Sequence, residues 1–137
     1  MNDVFSNIII GVISGIISGL YTGLVMSKYV AFAQHRLTII DIVRRIEFGG
    51  TNGILDYAKF SKIEEISYSS CSLLYLGHTK AGKKGLLIYK DIMNTEQKFK
   101  NKILTLSELI DKNKKWQDAY LDIKPNIISI LSLNIKL

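Results

Sequence analysis

The sequence predicts an all-α protein with a single N-terminal transmembrane helix, which continues into an amphipathic stalk and then a small cytoplasmic helical bundle. Three observations in the 137-residue chain lead to this prediction. Residues 8–30 are apolar with a single charge, the glycines come in separated groups, and apolar residues between those groups recur at helical spacing. We therefore divide the chain into a transmembrane segment (1–33), a juxtamembrane helical stalk (34–48) and a cytoplasmic helical domain (49–137).

The transmembrane prediction rests on the stretch from Ile8 to Val30, in which Lys28 is the only charged residue. At a rise of about 1.5 Å per residue, a helix of this length covers about 30 Å, the thickness of the hydrocarbon core of a bilayer. A cleaved signal peptide is the competing interpretation, because Ala31–Ala33 has the small-x-small pattern of a cleavage site. It is less favoured, since the residues before the apolar stretch carry no positive charge and the stretch itself is long.

The positive charges predict the direction of insertion. Every Lys and Arg lies at or after Lys28, and the net charge of the chain is +6. Because positively charged flanks stay in the cytoplasm, we expect a single-pass protein of the inner (plasma) membrane with its N-terminus outside and its C-terminal domain in the cytoplasm. The single cysteine, Cys71, can form no disulfide within the chain, which fits a reducing compartment.

Four glycines at intervals of four residues, here called the glycine row (Gly11, Gly15, Gly19 and Gly23), mark one side of the predicted membrane helix. Small residues let helix backbones approach closely, and hydroxyl groups can hydrogen-bond between helices. The alternative is that the row has no partner, because glycine is common in membrane helices; its regular spacing favours a packing face. The predicted helix-packing and oligomerisation residues are Gly11, Ser14, Gly15, Ser18, Gly19, Thr22 and Gly23.

The rest of the chain is predicted to form helices separated by glycine breaks. The stalk is expected to continue the membrane helix to Phe48, and Asn52 is expected to cap the helix that follows. The expected breaks lie at two groups of glycines, which are Gly49, Gly50 and Gly53, and Gly77, Gly82 and Gly85.

Two more helices are expected after the second break. The apolar residues from Tyr89 to Ile110 predict one of them, and the charged residues 111–115 predict a turn. A last helix is expected from Trp116, and Pro125 interrupts or restarts it. The tail 126–137 is left open, since its apolar alternation also permits a strand.

Basic residues near the membrane helix and in the second glycine group are the candidate contacts for anions or lipid headgroups. Residues 77–84 follow the Gly-x-x-x-x-Gly-Lys pattern of a phosphate-binding P-loop, but Lys84 replaces the hydroxyl residue that would bind magnesium. A helix is also expected before this segment, where a P-loop requires a strand, so a basic turn between helices is the prediction. The candidate contacts are Arg36, Arg44, Arg45, Lys80, Lys83 and Lys84.

The pattern of residues predicts an assembly in the membrane. No residue spacing typical of an enzyme or a metal site occurs, so no catalytic residue, metal or cofactor is expected. The glycine row predicts a homo-oligomer that acts as a membrane effector, or as a pore-forming or membrane-perturbing subunit, controlled by its cytoplasmic domain. The alternative is a membrane-anchored adaptor whose basic helical domain binds a protein or nucleic-acid partner. The expected partners are other copies of the chain, a bilayer with anionic headgroups and a protein bound by the cytoplasmic domain, while no motif favours nucleic acid.

Overall fold

The structure is a computed structural model that describes residues 2–132, with side chains from residue 4 onward. The described part of the chain is mostly helical and contains one small sheet. Its elements, in chain order, are α1 (Asn2–Arg44), β1 (Glu47–Thr51), β2 (Ile54–Lys59), α2 (Glu64–Tyr75), α3 (Thr79–Lys100), α4 (Leu106–Leu121) and α5 (Ile127–Leu131).

Helix α1 runs without a break through the predicted membrane segment and most of the predicted stalk, over 43 residues. Within the described range it is the one helix long and apolar enough to cross a membrane. It ends at Arg44, so the predicted helical stalk is wrong for residues 45–48. The reason is that Glu47 begins a strand, whose backbone groups pair with β2 instead of with the preceding turn.

A β-hairpin stands where the sequence analysis predicted a helix. Strands β1 and β2 are antiparallel, and Thr51 pairs with Ile54 across a two-residue turn. Both turn residues have positive φ, 51° at Asn52 and 80° at Gly53, which is the backbone geometry that an Asn-Gly dipeptide adopts readily. Asn52 is therefore a turn residue, and its prediction as a helix cap is wrong. The all-α prediction is corrected to a mostly helical fold with a small sheet.

The second half of α1 packs against the other helices through one of its sides. The core is a cluster of buried apolar side chains from α1, α2, α3 and α4, and partly buried residues of the hairpin pack against its edge. Representative buried members are Phe32, Ile39 and Val43 of α1, Ile66 and Leu73 of α2, Ile88 and Ile92 of α3, and Leu109 and Trp116 of α4.

Helix α3 packs closely on α2 through two glycines that were predicted to break the chain. Gly82 and Gly85 are buried inside α3. A Cβ on Gly82 would lie 2.7 Å from the carbonyl oxygen of Ser70, and one on Gly85 would overlap the Ser70 hydroxyl. Only Gly77 of this group, with φ of +86°, forms a turn. The predicted break is therefore correct at Gly77 and wrong at the other two positions, where glycine permits close helix contact.

The predicted helix from Tyr89 to Ile110 is two helices, and the predicted turn at residues 111–115 is wrong because those residues lie inside α4. The chain breaks between α3 and α4, where Thr105 begins α4 with a capping box that includes Glu108. This reciprocal pair of hydrogen bonds starts a new helix there.

Helices α3 and α4 are joined by a polar contact at Asp91. Its carboxylate accepts hydrogen bonds from Trp116 Nε1, at 2.7 Å, and from Lys112 Nζ. Burial alone would raise the pKa of Asp91, but these two donors lower it below its ordinary value. The contact attaches the charged stretch of α4 to α3, which explains why that stretch is helical.

The C-terminal part of the chain turns back along α1. Pro125 lies in a non-helical segment, and α5 begins two residues later, which agrees with the predicted restart. Asn126 caps α5 by accepting a hydrogen bond from the Ile128 N–H, at 3.2 Å. Residues 133–137, where a strand was left open, lie outside the described residues.

Candidate self-association and headgroup surfaces

The glycine row is uncovered in the single chain. Each of its four glycines is exposed, and a Cβ built on any of them would have no neighbour within 4 Å. The hydroxyl residues Ser14, Ser18 and Thr22 beside the row are exposed as well. The described part of the chain therefore leaves this face of α1 open for another molecule.

The open side of α1 continues beyond the glycine row into the stalk. Exposed residues follow Gly23 at helical intervals of three or four, so they lie along the same side of the helix. Leu37, which is 59% exposed, is the clearest apolar member. These residues are Met26, Val30, Gln34, Leu37, Asp41 and Arg44. One side of α1 is thus open from Gly11 to its last turn.

A different side of α1 carries the rest of the protein. All residues from Val4 to Gly23 are exposed, and Leu24 is the first half-buried residue. The uncovered length is therefore roughly 20 residues, or about 30 Å at 1.5 Å per residue, which matches the hydrocarbon core of a bilayer. At the end of this stretch, Tyr21 donates a hydrogen bond to the chain at α5, and Lys28 does the same seven residues further along α1.

The three arginines predicted as anion contacts already have partners within the protein. Arg36 Nε donates to the carbonyl oxygen of Ile123, at 2.9 Å. Arg44 Nε donates to the hydroxyl of Tyr120, at 3.3 Å, and its guanidinium lies over the same ring. Arg45 forms an ion pair with Asp41, at 2.7 Å. Of the predicted lysines, Lys84 lies near Arg36, because the two side chains bind the adjacent residues Asp122 and Ile123.

The three predicted lysines lie in the first turns of α3, and the predicted basic turn is wrong for them. The element before them is the helix α2, so the P-loop arrangement of strand, loop and helix is not formed. Lys84 Nζ forms an ion pair with Asp122, at 2.9 Å, and this hydrogen bond lowers the pKa of Asp122. Lys80 and Lys83 are exposed, and neither forms an ion pair within the described residues.

A groove of about 660 Å³ separates the start of α3 from the segment that leads into α5. Its cations are Lys80, Lys84 and Lys124, and Asp122 neutralises part of their charge. Its apolar wall includes residues 127 and 128 of α5. The groove therefore combines positive charge with apolar surface. An anionic lipid complements both, with a negative headgroup and apolar acyl chains.

His78 lines this groove. The sequence placed it in the candidate anion-binding turn with the lysines, but its structural role was not predicted. Its ring is buried, and its Nδ1 accepts a hydrogen bond from the Asn126 N–H, at 3.0 Å. The ring also meets Phe32 of α1 edge-on, with 4.7 Å between centroids. Burial lowers the pKa of His78 below its ordinary value. His78 thereby joins α1, α3 and the chain before α5.

No protein-family model, curated protein or solved structure matches the chain. The surfaces must therefore be interpreted from their own chemistry. Within the described residues, no three His, Cys, Asp or Glu side chains are grouped as a metal site would require. The most extensive candidate surface is the open side of α1, followed by the cationic groove.

Proposed function

We propose that the protein is a single-pass membrane protein that self-associates through the glycine row, and that the resulting assembly acts on the membrane as an effector. The observation that carries this proposal is the open side of α1, whose residues are exposed from Gly11 to Asp41. The helical domain, packed on a different side of α1, is proposed to lie in the cytoplasm and to control the assembly.

Close helix contact is the physical basis of the proposed self-association. In lipid, helices attract each other through backbone packing and interhelical hydrogen bonds, because burial of apolar side chains supplies no driving force there. The glycine row offers backbone surface with no side chain over it, and Ser14, Ser18 and Thr22 offer hydroxyl groups. Isoleucines and leucines on the other sides of α1 face lipid in this arrangement.

The stalk supports the same arrangement outside the bilayer. Leu37 is exposed on the single chain, and a second α1 packed along the same side would cover it. Asp41 and Arg45 form an ion pair on the surface of one chain and could exchange partners with a second copy. A pore-forming or membrane-perturbing output follows if several copies pack in a ring, with the hydroxyl residues forming a polar path.

Replacement of Gly15 and Gly19 by leucine tests this proposal. The two new side chains would separate the helix backbones, so we expect the double variant to be monomeric in detergent at concentrations where the native chain is oligomeric. Analytical ultracentrifugation measures the mass, and dye release from liposomes measures the effect on the membrane. The matched control is Ile13→Leu with Ile17→Leu, which places two leucines on another side of the same helix and should leave both measurements unchanged.

The opposite outcome supports a tethered adaptor. If the glycine variant keeps its mass and its activity on liposomes, the glycine row is not the working surface. In that case a foreign transmembrane helix of the same length should replace residues 4–23 without loss of function. Under the proposed function the same replacement abolishes both oligomerisation and membrane activity.

A further inference from the structure

Helix α5 is attached to α1 at two levels by hydrogen bonds to its backbone. The hydroxyl of Tyr21 donates to the carbonyl oxygen of Leu131, at 3.1 Å. The amine of Lys28 donates to the carbonyl oxygens of Ser129 and Ser132. Tyr21 and Lys28 are two helical turns apart, about 10 Å along α1. The chain around α5 is therefore fixed beside this part of α1.

One face of α5 is packed against the protein, and the other exposes large apolar side chains. Ile130 is buried, and the Ser129 hydroxyl donates to the carbonyl oxygen of Gly77, at 2.9 Å. On the other face, Ile127 is 67% exposed and Ile128 is 79% exposed. The packed face fixes the orientation of α5, so these two isoleucines cannot turn inward without breaking the contacts to α1 and Gly77.

The position of α5 along α1 places it at the inner boundary of the bilayer. If the membrane span is the uncovered stretch from Val4 to Gly23, Tyr21 lies just inside the hydrocarbon, and Leu131 lies beside it. Residues 127–132 carry no charge, and the exposed Lys124 precedes α5 by three residues, where its amine can reach headgroups.

We propose that α5 lies in the cytoplasmic interface of the bilayer as a second membrane contact, with Ile127 and Ile128 among the lipid acyl chains. The inference rests on the membrane insertion of α1 in the proposed function. Burial of exposed apolar area and attraction of neighbouring basic residues to headgroups act together in binding at the interface. The contact would also fix the rotation of the helical domain relative to the membrane plane.

A fluorescent label reports directly on the surroundings of α5. The native Cys71 is replaced by serine, and single cysteines are introduced by Ile127→Cys, Ile54→Cys or Ile17→Cys in the full-length chain. Each is labelled with an environment-sensitive fluorophore and reconstituted in liposomes that contain phospholipid with a nitroxide high on its acyl chain. Ile54, in the hairpin, is the matched control, because its exposure of 67% equals that of Ile127.

We expect the nitroxide lipid to quench the label at position 127 several-fold more than the label at position 54. The label at position 17, within α1, reports on membrane insertion of the helix itself. Quenching at 17 without quenching at 127 would overturn the position of α5 and leave the proposed function intact. Absence of quenching at all three positions would overturn both. Equal quenching at 127 and 54 would also overturn the inference, because the contact would not be specific to α5.

Discussion

A buried histidine links three parts of the chain, and its protonation state controls that link. His78 accepts the Asn126 N–H through Nδ1, which requires the neutral ring with its proton on Nε2. Protonation would turn the acceptor into a donor directed at an N–H group. The nearby charges that line the groove are Lys80, Lys84, Asp122 and Lys124, and most of them disfavour a second positive charge.

This arrangement predicts a loss of stability in mild acid. The pKa of His78 is lowered in the folded protein from the ordinary value of 6.5, so the unfolded state takes up a proton first as the pH falls. The contribution of the neutral ring is therefore complete above pH 6.5 and is lost as the pH falls through the folded pKa. We expect the apparent unfolding temperature, followed by circular dichroism in detergent, to decrease between about pH 7 and pH 5.

The variant His78→Gln separates this effect from other titrations. It should flatten the dependence in that pH range, at a cost of about 1 kcal/mol for the altered hydrogen bond. His35→Gln is the control, since it removes the other histidine of the chain and should keep the dependence. Identical pH profiles for His78→Gln and the native chain would contradict the assigned role.

The role of His78 could not be predicted from the sequence. A lone histidine between Gly77 and the lysines gave no periodic signal, and its partners Phe32 and Asn126 are 46 and 48 residues away. The lysines stay a prediction as anion contacts; Lys80 and Lys83 are exposed, and Lys84 is paired with Asp122. The arginines were predicted in the same way, but the partners of Arg36 and Arg44 are 87 and 76 residues away and depend on long-range packing. The pair of Arg45 with Asp41, four residues earlier, is the one that local spacing could have revealed.

Glycine has two different roles in the helical elements of this protein. In α3, Gly82 and Gly85 permit contact with α2 inside one chain, whereas in α1 the glycine row meets nothing in the single chain. Both sets were visible in the sequence, but only the regular spacing of the glycine row predicted a packing face, and Gly82 and Gly85 were interpreted as breaks. The hairpin was also visible, because the dipeptide Asn52-Gly53 is a strong turn signal. It was interpreted as a helix cap because Asn serves both purposes.

Alanine substitutions distinguish the two roles of glycine. In Gly82→Ala, the new Cβ meets the Ser70 carbonyl oxygen of α2, so overpacking is expected to cost about 1 to 3 kcal/mol. The higher helix propensity of alanine offsets about 1 kcal/mol of this destabilisation. We therefore expect the unfolding temperature in detergent to decrease by several degrees. Gly15→Ala is the control, and it should not lower the unfolding temperature of the monomer, because its Cβ has open space. Equal unfolding temperatures for the two variants would contradict the close packing of α3 on α2.

The two ends of α3 lie at different distances from the uncovered part of α1. The start of α3 lies near that part, because His78 meets Phe32, four residues after Lys28. Helix α3 has 22 residues, so its two ends are about 30 Å apart at 1.5 Å per residue. The length and apolar character of α1 were predictable from composition. The side of α1 that carries the domain was not, because it depends on which apolar residues of the stalk meet α2 and α3.

This difference predicts which lysines recognise an anionic membrane. Lys80 and Lys83 are exposed at the end of α3 nearest the proposed bilayer, whereas Lys98 and Lys102 lie at its other end. A lysine near an anionic surface contributes about 1 kcal/mol, and the effect decays within about 10 Å. We therefore expect Lys80→Gln with Lys83→Gln to weaken binding of phosphatidylglycerol over phosphatidylcholine by about 2 kcal/mol, measured by native mass spectrometry of the detergent-solubilised protein. Lys98→Gln with Lys102→Gln removes the same charge and should leave the preference unchanged. An equal loss in both pairs would mean that net charge, and not the position of the lysines at the membrane end of α3, determines the preference.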